Sequence, residues 1–148
     1  MIPSGRFLGL GLTLVLWLSG TLLIAAEPAL RPSRPDVKAA METIVSAQLT
    51  AWREDRPADA YACASASIRA QFPLEAFVVM VRRGYPEIAA NRRAEFSLAR
   101  DNGVTGEVSV RVTPAEGSPV RYRYLLIRED AGWRINGVVA DTRRRDEV

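Results

Sequence analysis

Apolar residues between Val37 and Trp52 recur at intervals of three and four positions, the spacing that places side chains on one face of an α-helix. The run predicts an amphipathic helix of about four turns that ends near Arg53. Asp36 stands directly before it, where an acidic or capping residue favours helix initiation. Three further helical segments are predicted, over residues 57–65, 67–72 and 74–84.

After residue 93 the spacing of apolar residues changes to alternation, which is typical of half-buried β-strands. In the first such strand Ala94, Phe96 and Leu98 are predicted to face the core, and Ala99 to face solvent. Three further strands are predicted around residues 104–112, 120–127 and 133–139. Helices followed by strands predict an α+β fold, with N-terminal helices packed on one face of a four-stranded antiparallel sheet.

The N-terminal residues 1–26 form an apolar segment with one cation, Arg6, and charged residues resume only at Glu27. This pattern predicts an export signal, and the small residues Ala25 and Ala26 fit a cleavage site. The apolar run is also long enough, at about 20 residues, to cross a bilayer as a helix. We therefore expect a periplasmic or secreted protein, with an inner-membrane anchored protein whose domain lies outside the cytoplasm as the alternative.

Prolines and polarity divide the rest of the chain. Residues 27–35 contain three prolines and are predicted to form a tether, whereas residues 142–148 are predicted to form a polar tail. The intervening residues 36–141 are of the usual length for one domain, and we expect a single α+β domain there.

Composition excludes several kinds of chemistry. Histidine does not occur in the 148 residues, which excludes Ser-His-Asp and Cys-His catalytic arrangements and the usual zinc sites. Neither a metal site nor a cofactor is predicted. The 20 basic residues nearly balance the 17 acidic ones, so nucleic acid is not an expected partner. The single cysteine, Cys63, cannot form an internal disulfide and is predicted to be a small buried side chain.

Two segments resemble the nuclear transport factor 2-like (cystatin-like) superfamily. Residues 47–61 join an aromatic-ended helix to a short acidic turn and an Ala-rich helix, and residues 124–135 resemble the final hairpin of that superfamily. Residues 77–86, within the same order of elements, resemble an uncharacterised bacterial domain-of-unknown-function family of exported proteins. The resemblance extends over residues 37–139. It implies a curved sheet that wraps around helices to form a cone with an apolar pocket, and it implies no particular activity.

Aromatic and methionine side chains are the candidates to line such a pocket and to bind a small apolar ligand. The alternative is that they fill the core, as these residue types commonly do. The six candidates are Tyr61, Phe77, Met80, Tyr85, Tyr122 and Tyr124.

Isomerases of the resembled superfamily place a carboxylate base inside the cone, beside a tyrosine or a protonated acid. The acidic residues of the predicted helices lie on polar faces or in turns. Asp59 and Tyr61 are the nearest candidate pair, but residues two apart on a helix point in different directions. No catalytic residue is therefore assigned.

Arginines occupy the polar positions of successive predicted strands, and they define a possible cationic face for an anionic lipid, a cell-wall polymer or an acidic partner. The alternative is the solvated outside of the sheet, with Glu95 and Glu107 as cross-strand partners. The four arginines are Arg111, Arg121, Arg123 and Arg134.

These patterns favour an exported, non-catalytic module that binds a small ligand or a protein. Two alternatives stay open: a small histidine-free isomerase or dehydratase that uses a carboxylate base, and an envelope assembly module that acts through its sheet face. The expected partners are a small apolar ligand or an envelope protein, with a homodimer as a further alternative. Contact with a membrane is expected only through an uncleaved N-terminal segment.

Overall fold

The computed structural model describes residues 26–141. The predicted signal or anchor, apart from Ala26, and the predicted polar tail lie outside the described residues. Within residues 26–141 the helices are α1 (Pro35–Arg53), α2 (Pro57–Ala62), α3 (Ala66–Gln71), α4 (Leu74–Gly84) and α5 (Pro86–Ala89). The strands of the same part of the chain are β1 (Arg31–Pro32), β2 (Asn91–Asp101), β3 (Thr105–Pro114), β4 (Val120–Glu129) and β5 (Gly132–Ala140).

The strands form one open antiparallel sheet in the order β1-β2-β3-β4-β5. Each strand pairs with the next strand along the chain. The connections between β2, β3, β4 and β5 are short, whereas helices α1 to α5 lie in the connection from β1 to β2. Helix α1 contacts β2, β3 and β5, and α3 contacts β5. The helices thus cover a face of the sheet that would otherwise expose its apolar residues, and the predicted α+β class is confirmed.

The sheet of the described region has five strands, so the prediction of four was wrong. Strand β1 lies inside the predicted tether, and its residues Arg31 and Pro32 are opposite Asp101 and Arg100 of β2. Next to it, the Ser33 amide donates to the Ala99 carbonyl at 3.0 Å. Proline is tolerated in an edge strand at positions where the missing N–H would point away from the neighbouring strand.

Helix α1 is built as the apolar spacing predicts. Pro35 occupies its first turn, where the lost N–H has no intrahelical partner, and Asp36 adds a negative charge at the positive end of the helix dipole. Met41, Val45 and Leu49 follow at intervals of four residues and are completely buried. The predicted amphipathic helix is confirmed.

The orientation of residues in β2 differs from the prediction at one point. Leu98 is 70% exposed and Ala99 only 9% exposed, which is the reverse of simple alternation. The cause is an irregularity in the pairing of β2 with β3 between Phe96 and Ala99. An extra residue in one strand moves every later side chain to the opposite face.

Strands β3 and β4 keep strict alternation and form the sheet side of the core. Val108, Val110 and Val112 of β3 are completely buried. In β4, Tyr124 is completely buried and Tyr122 is 3% exposed. Cross-strand pairs place Val108 beside Tyr124 and Val110 beside Tyr122. The predicted inward positions of both strands are confirmed.

Candidate functional site

A cavity of about 180 Å³ lies between the C-terminal half of β5 and helices α3 and α4. Its wall is mainly apolar and includes Ile68, Phe77, Met80, Ile135 and Val138. Phe77 and Ile135 are buried, whereas Ile68, Met80 and Val138 are half-buried. The cavity therefore has a buried end and a partly exposed rim.

The junction between α2 and α3 joins this part of the wall to β5. Ser65 caps α3, because its side-chain oxygen accepts from the Ile68 amide at 3.2 Å. The same hydroxyl donates to Asn136 Oδ1 at 2.7 Å. The Ser65 amide also donates to the Ile135 carbonyl at 2.8 Å, and the Ile135 amide to the Cys63 carbonyl at 2.9 Å. The start of α3 is thus fixed to the edge of the sheet by backbone and side-chain bonds.

Two tyrosine hydroxyls brace the cavity from either side. Tyr61 donates to the Phe72 carbonyl at 2.7 Å, and its ring packs against Phe77 with centroids 5.2 Å apart. Tyr85, which follows α4, donates to the Val138 carbonyl of β5 at 3.2 Å. These bonds hold the junction between α3 and α4 and the C-terminal end of α4 in place.

The structure places the six candidate residues in two environments. Phe77, Met80 and Tyr85 line the cavity, and Tyr61 lies behind Phe77. Tyr122 and Tyr124 are buried in the core and are not part of the cavity wall.

The surroundings of the two core tyrosines further disfavour ionisation of their hydroxyl groups. Tyr122 donates to Glu87 Oε2 at 2.5 Å, and burial, followed by this hydrogen bond, raises the pKa of Tyr122. Burial likewise raises the pKa of Tyr124, whose hydroxyl has no hydrogen-bond partner among the described residues. Neither hydroxyl reaches the cavity, so the two rings serve as packing.

The candidate pair Asp59 and Tyr61 is not brought together. Asp59 is exposed and forms an ion pair with Arg56, while the Tyr61 hydroxyl is directed at Phe72. Cys63 is buried, as predicted, and burial raises the pKa of its thiol. Within residues 26–141 no group of three or more Cys, Asp or Glu residues is arranged to hold a metal ion.

Gln48 is a residue of the cavity wall that periodicity did not single out. It is only 5% exposed and lies next to Leu49, on the buried side of α1. The available signal was a polar side chain within the apolar face of a predicted helix. Buried polar groups of this kind are infrequent and are usually hydrogen-bonded.

The arginines of the outer sheet face are only partly neutralised. Arg123 lies 3.8 Å from Glu107, the predicted cross-strand partner. Glu95 lies opposite Arg111 in the pairing of β2 with β3, but its carboxylate forms an ion pair with Arg93 on its own strand at 2.7 Å. Arg111 stands directly opposite Arg121, and like charges in that position repel.

Within the described part of the chain, no helix is long and apolar enough to cross a membrane. The family described as a domain of unknown function (DUF4864) matches residues 34–148. No curated protein matches the chain.

Proposed function

The chain belongs to the DUF4864 family, and from that premise we propose that it binds a small, predominantly apolar ligand in the cavity between α3, α4 and β5, without catalysing a reaction on it. The observation that carries this proposal is the cavity itself. Protein interiors are close-packed, and voids larger than a water molecule are few. An apolar cavity of about 150 Å³ is sufficient to admit benzene, and this one measures about 180 Å³.

The chemistry of the wall supports a ligand rather than a substrate. None of the described residues that form the wall is charged, so the site offers neither a general base nor a counter-ion. A buried, unpaired ligand charge would be strongly unfavourable there. Met80 stands at the half-buried rim, and its flexible, polarisable side chain is suited to admitting and contacting an apolar guest. The expected ligand is therefore neutral and compact.

We also propose that this α+β fold is a nuclear transport factor 2-like cone and that the protein is exported. The first proposal is supported by the order of elements, with helices before the sheet and an apolar cavity between them. The second is supported by the charge-free apolar segment that follows Arg6. A periplasmic or secreted location follows from cleavage of that segment, and an anchored protein from its retention.

The binding proposal is tested by filling the cavity from β5. Val138 lines the cavity, whereas its neighbour Val139 is 42% exposed and does not. We expect Val138→Phe to abolish binding of benzene or toluene, as measured by NMR titration or calorimetry, because the new ring occupies the space that the ligand needs. Thermal unfolding of the variant should show that it still folds.

Val139→Phe is the matched control, with the same substitution one residue away. It should bind the same probes as the wild-type protein does. Failure of the wild-type protein to bind either probe would overturn the proposed function. Equal binding by the wild-type protein and Val138→Phe would show that the probes bind elsewhere.

A second candidate function is attachment to an anionic component of the cell envelope through the outer sheet face. The observation that favours it is the direct opposition of Arg111 and Arg121. Glu95 lies opposite Arg111 but pairs with Arg93, and within residues 26–141 no carboxylate forms an ion pair with Arg111 or Arg121. An anionic group that lies across both strands would relieve their repulsion.

Cosedimentation with vesicles that contain anionic lipid tests this surface. The double variant Arg111→Gln plus Arg121→Gln should weaken retention by about fivefold for each arginine, because a cation near such a surface contributes about 1 kcal/mol. The matched control is Arg82→Gln plus Arg83→Gln on the exposed end of α4, which removes the same charge elsewhere. Equal effects of the two double variants would mean that retention depends only on the net charge of the protein, which would overturn a specific role for the outer sheet face.

A further inference from the structure

Gln48 is the polar exception in the cavity wall. It lies on the buried face of α1, is only 5% exposed, and shares the wall with side chains that are mainly apolar. Placing an amide in such surroundings is unfavourable unless its donors and acceptor find partners. The partners that the amide has, and those that it lacks, therefore indicate what the cavity is suited to hold.

The amide is oriented by a single long hydrogen bond. Gln48 Nε2 donates to the Ala60 carbonyl at 3.5 Å, close to the limit of a useful interaction. Because a carbonyl oxygen can only accept, the amino group must face Ala60 and Oε1 must lie on the other side of the amide. No described residue donates a hydrogen bond to Oε1. Its lone pairs are therefore free to accept a bond from a guest.

The other polar group of the wall is already engaged. The Tyr85 hydroxyl donates to the Val138 carbonyl at 3.2 Å, which uses its only proton. The wall holds no cation that would neutralise an anionic guest and no carboxylate that would attract a cationic one. The remaining polar preference of the cavity is thus for a neutral hydrogen-bond donor.

We propose that Gln48 Oε1 accepts a hydrogen bond from the bound ligand, and that the ligand is a compact neutral molecule with an apolar body and one O–H or N–H group. This inference rests on the proposed function, because it specifies the ligand of the same cavity. The volume of about 180 Å³ suits a body near the size of one aromatic ring. Phenol has one aromatic ring and one O–H group, and toluene has a similar shape but no hydrogen-bond donor.

The test compares phenol and toluene in the wild-type protein and in Gln48→Met, which keeps the length of the side chain and removes the amide. A net hydrogen bond corresponds to a factor of about three to ten in affinity. The ratio of phenol to toluene affinity should therefore fall by that factor in Gln48→Met, while toluene binds at least as tightly as before. Using the ratio removes the different hydration of the two free ligands.

Gln71→Met is the matched control, because Gln71 is exposed on α3 and lies outside the cavity wall. It should leave the ratio unchanged. An unchanged ratio in a folded Gln48→Met protein that still binds toluene would overturn the role of Gln48 and leave the proposed function standing. Absence of binding of both probes to the wild-type protein would instead overturn the proposed function itself.

A purely structural role for Gln48, in which its amide only joins α1 to Ala60, predicts lower stability in Gln48→Met with no change in the ratio. If Gln48→Met fails to fold, the NMR chemical shifts of the Gln48 side-chain amide in the wild-type protein test the proposal instead. Phenol should shift them more than toluene does. Equal shifts by the two ligands would overturn the inference.

Discussion

The packing of α1 on the sheet differs sharply from the packing around the cavity between α3, α4 and β5. In the first region Met41 and Leu49 of α1 belong to the same core as Val108 and Tyr124 of the sheet, and all four are completely buried. In the second region buried and half-buried side chains surround a cavity of about 180 Å³. Close packing is where burial stabilises a fold most. We infer that the first region supplies most of the stability and that the second region is available to bind a ligand.

The largest expected contrast comes from truncating one apolar side chain in each region. Leu49→Ala should lower the free energy of unfolding by about 2–5 kcal/mol, because it removes a fully buried side chain and leaves a void. Ile68→Ala, at the half-buried rim, should cost clearly less, since part of that side chain already meets water. Denaturant unfolding measures both values, and equal losses would remove the distinction between the two regions.

A second contrast uses two glycines. A Cβ atom added at Gly106 would lie 2.5 Å from Met41 Sδ and 3.2 Å from the Arg100 carbonyl oxygen. Gly106→Ala should therefore cost about 1–3 kcal/mol through overpacking of the α1–sheet region.

Gly84→Ala is the control, because nothing lies within 4 Å of a Cβ at that position. At the end of α4 it should be neutral or should stabilise the protein by up to about 1 kcal/mol, through the unfolded chain. If the two substitutions had equal effects on the midpoint of thermal unfolding, the α1–sheet contact would be looser than described.

The smallest contrast concerns how the cavity region is held together. Ser65→Ala removes the α3 cap and the bond to Asn136, and it should cost about 1 kcal/mol. Ser67→Ala, on the exposed side of the same helix, should change stability by less than about 0.5 kcal/mol. Hydrogen exchange should also quicken in α3 for Ser65→Ala alone. No difference in exchange between the two variants would mean that burial, and not capping, positions α3.

The sequence was sufficient to place buried residues wherever a helix or strand has a regular apolar pattern and one buried face. Val45 and Leu49 in α1, and Val108 and Val110 in β3, were placed correctly because a helix or strand with one apolar face has one orientation that buries it. The buried state of Cys63 followed from its small size and its Ala-rich neighbours. These properties depend on local spacing alone.

The candidate site was predictable only in part. Phe77, Met80 and Tyr85 were singled out by residue type and line the cavity, but the same reasoning selected Tyr124, which is enclosed in the core. Residue type indicates only that a side chain favours a buried position. It does not distinguish a packed interior from the wall of a cavity.

By itself the sequence determined the α+β class, the helices before the sheet and the inward residues of β3 and β4, because these follow from spacing along the chain. Tertiary structure alone decided the rest. Strand β1 exists because the backbone of residues 31–32 reaches the edge of β2, and the bulge that exposes Leu98 depends on pairing with β3. Gln48 meets β5 and α4 around one cavity only after α1 packs on the sheet. Contacts between distant segments arise from the joint geometry of those segments, which no local pattern encodes.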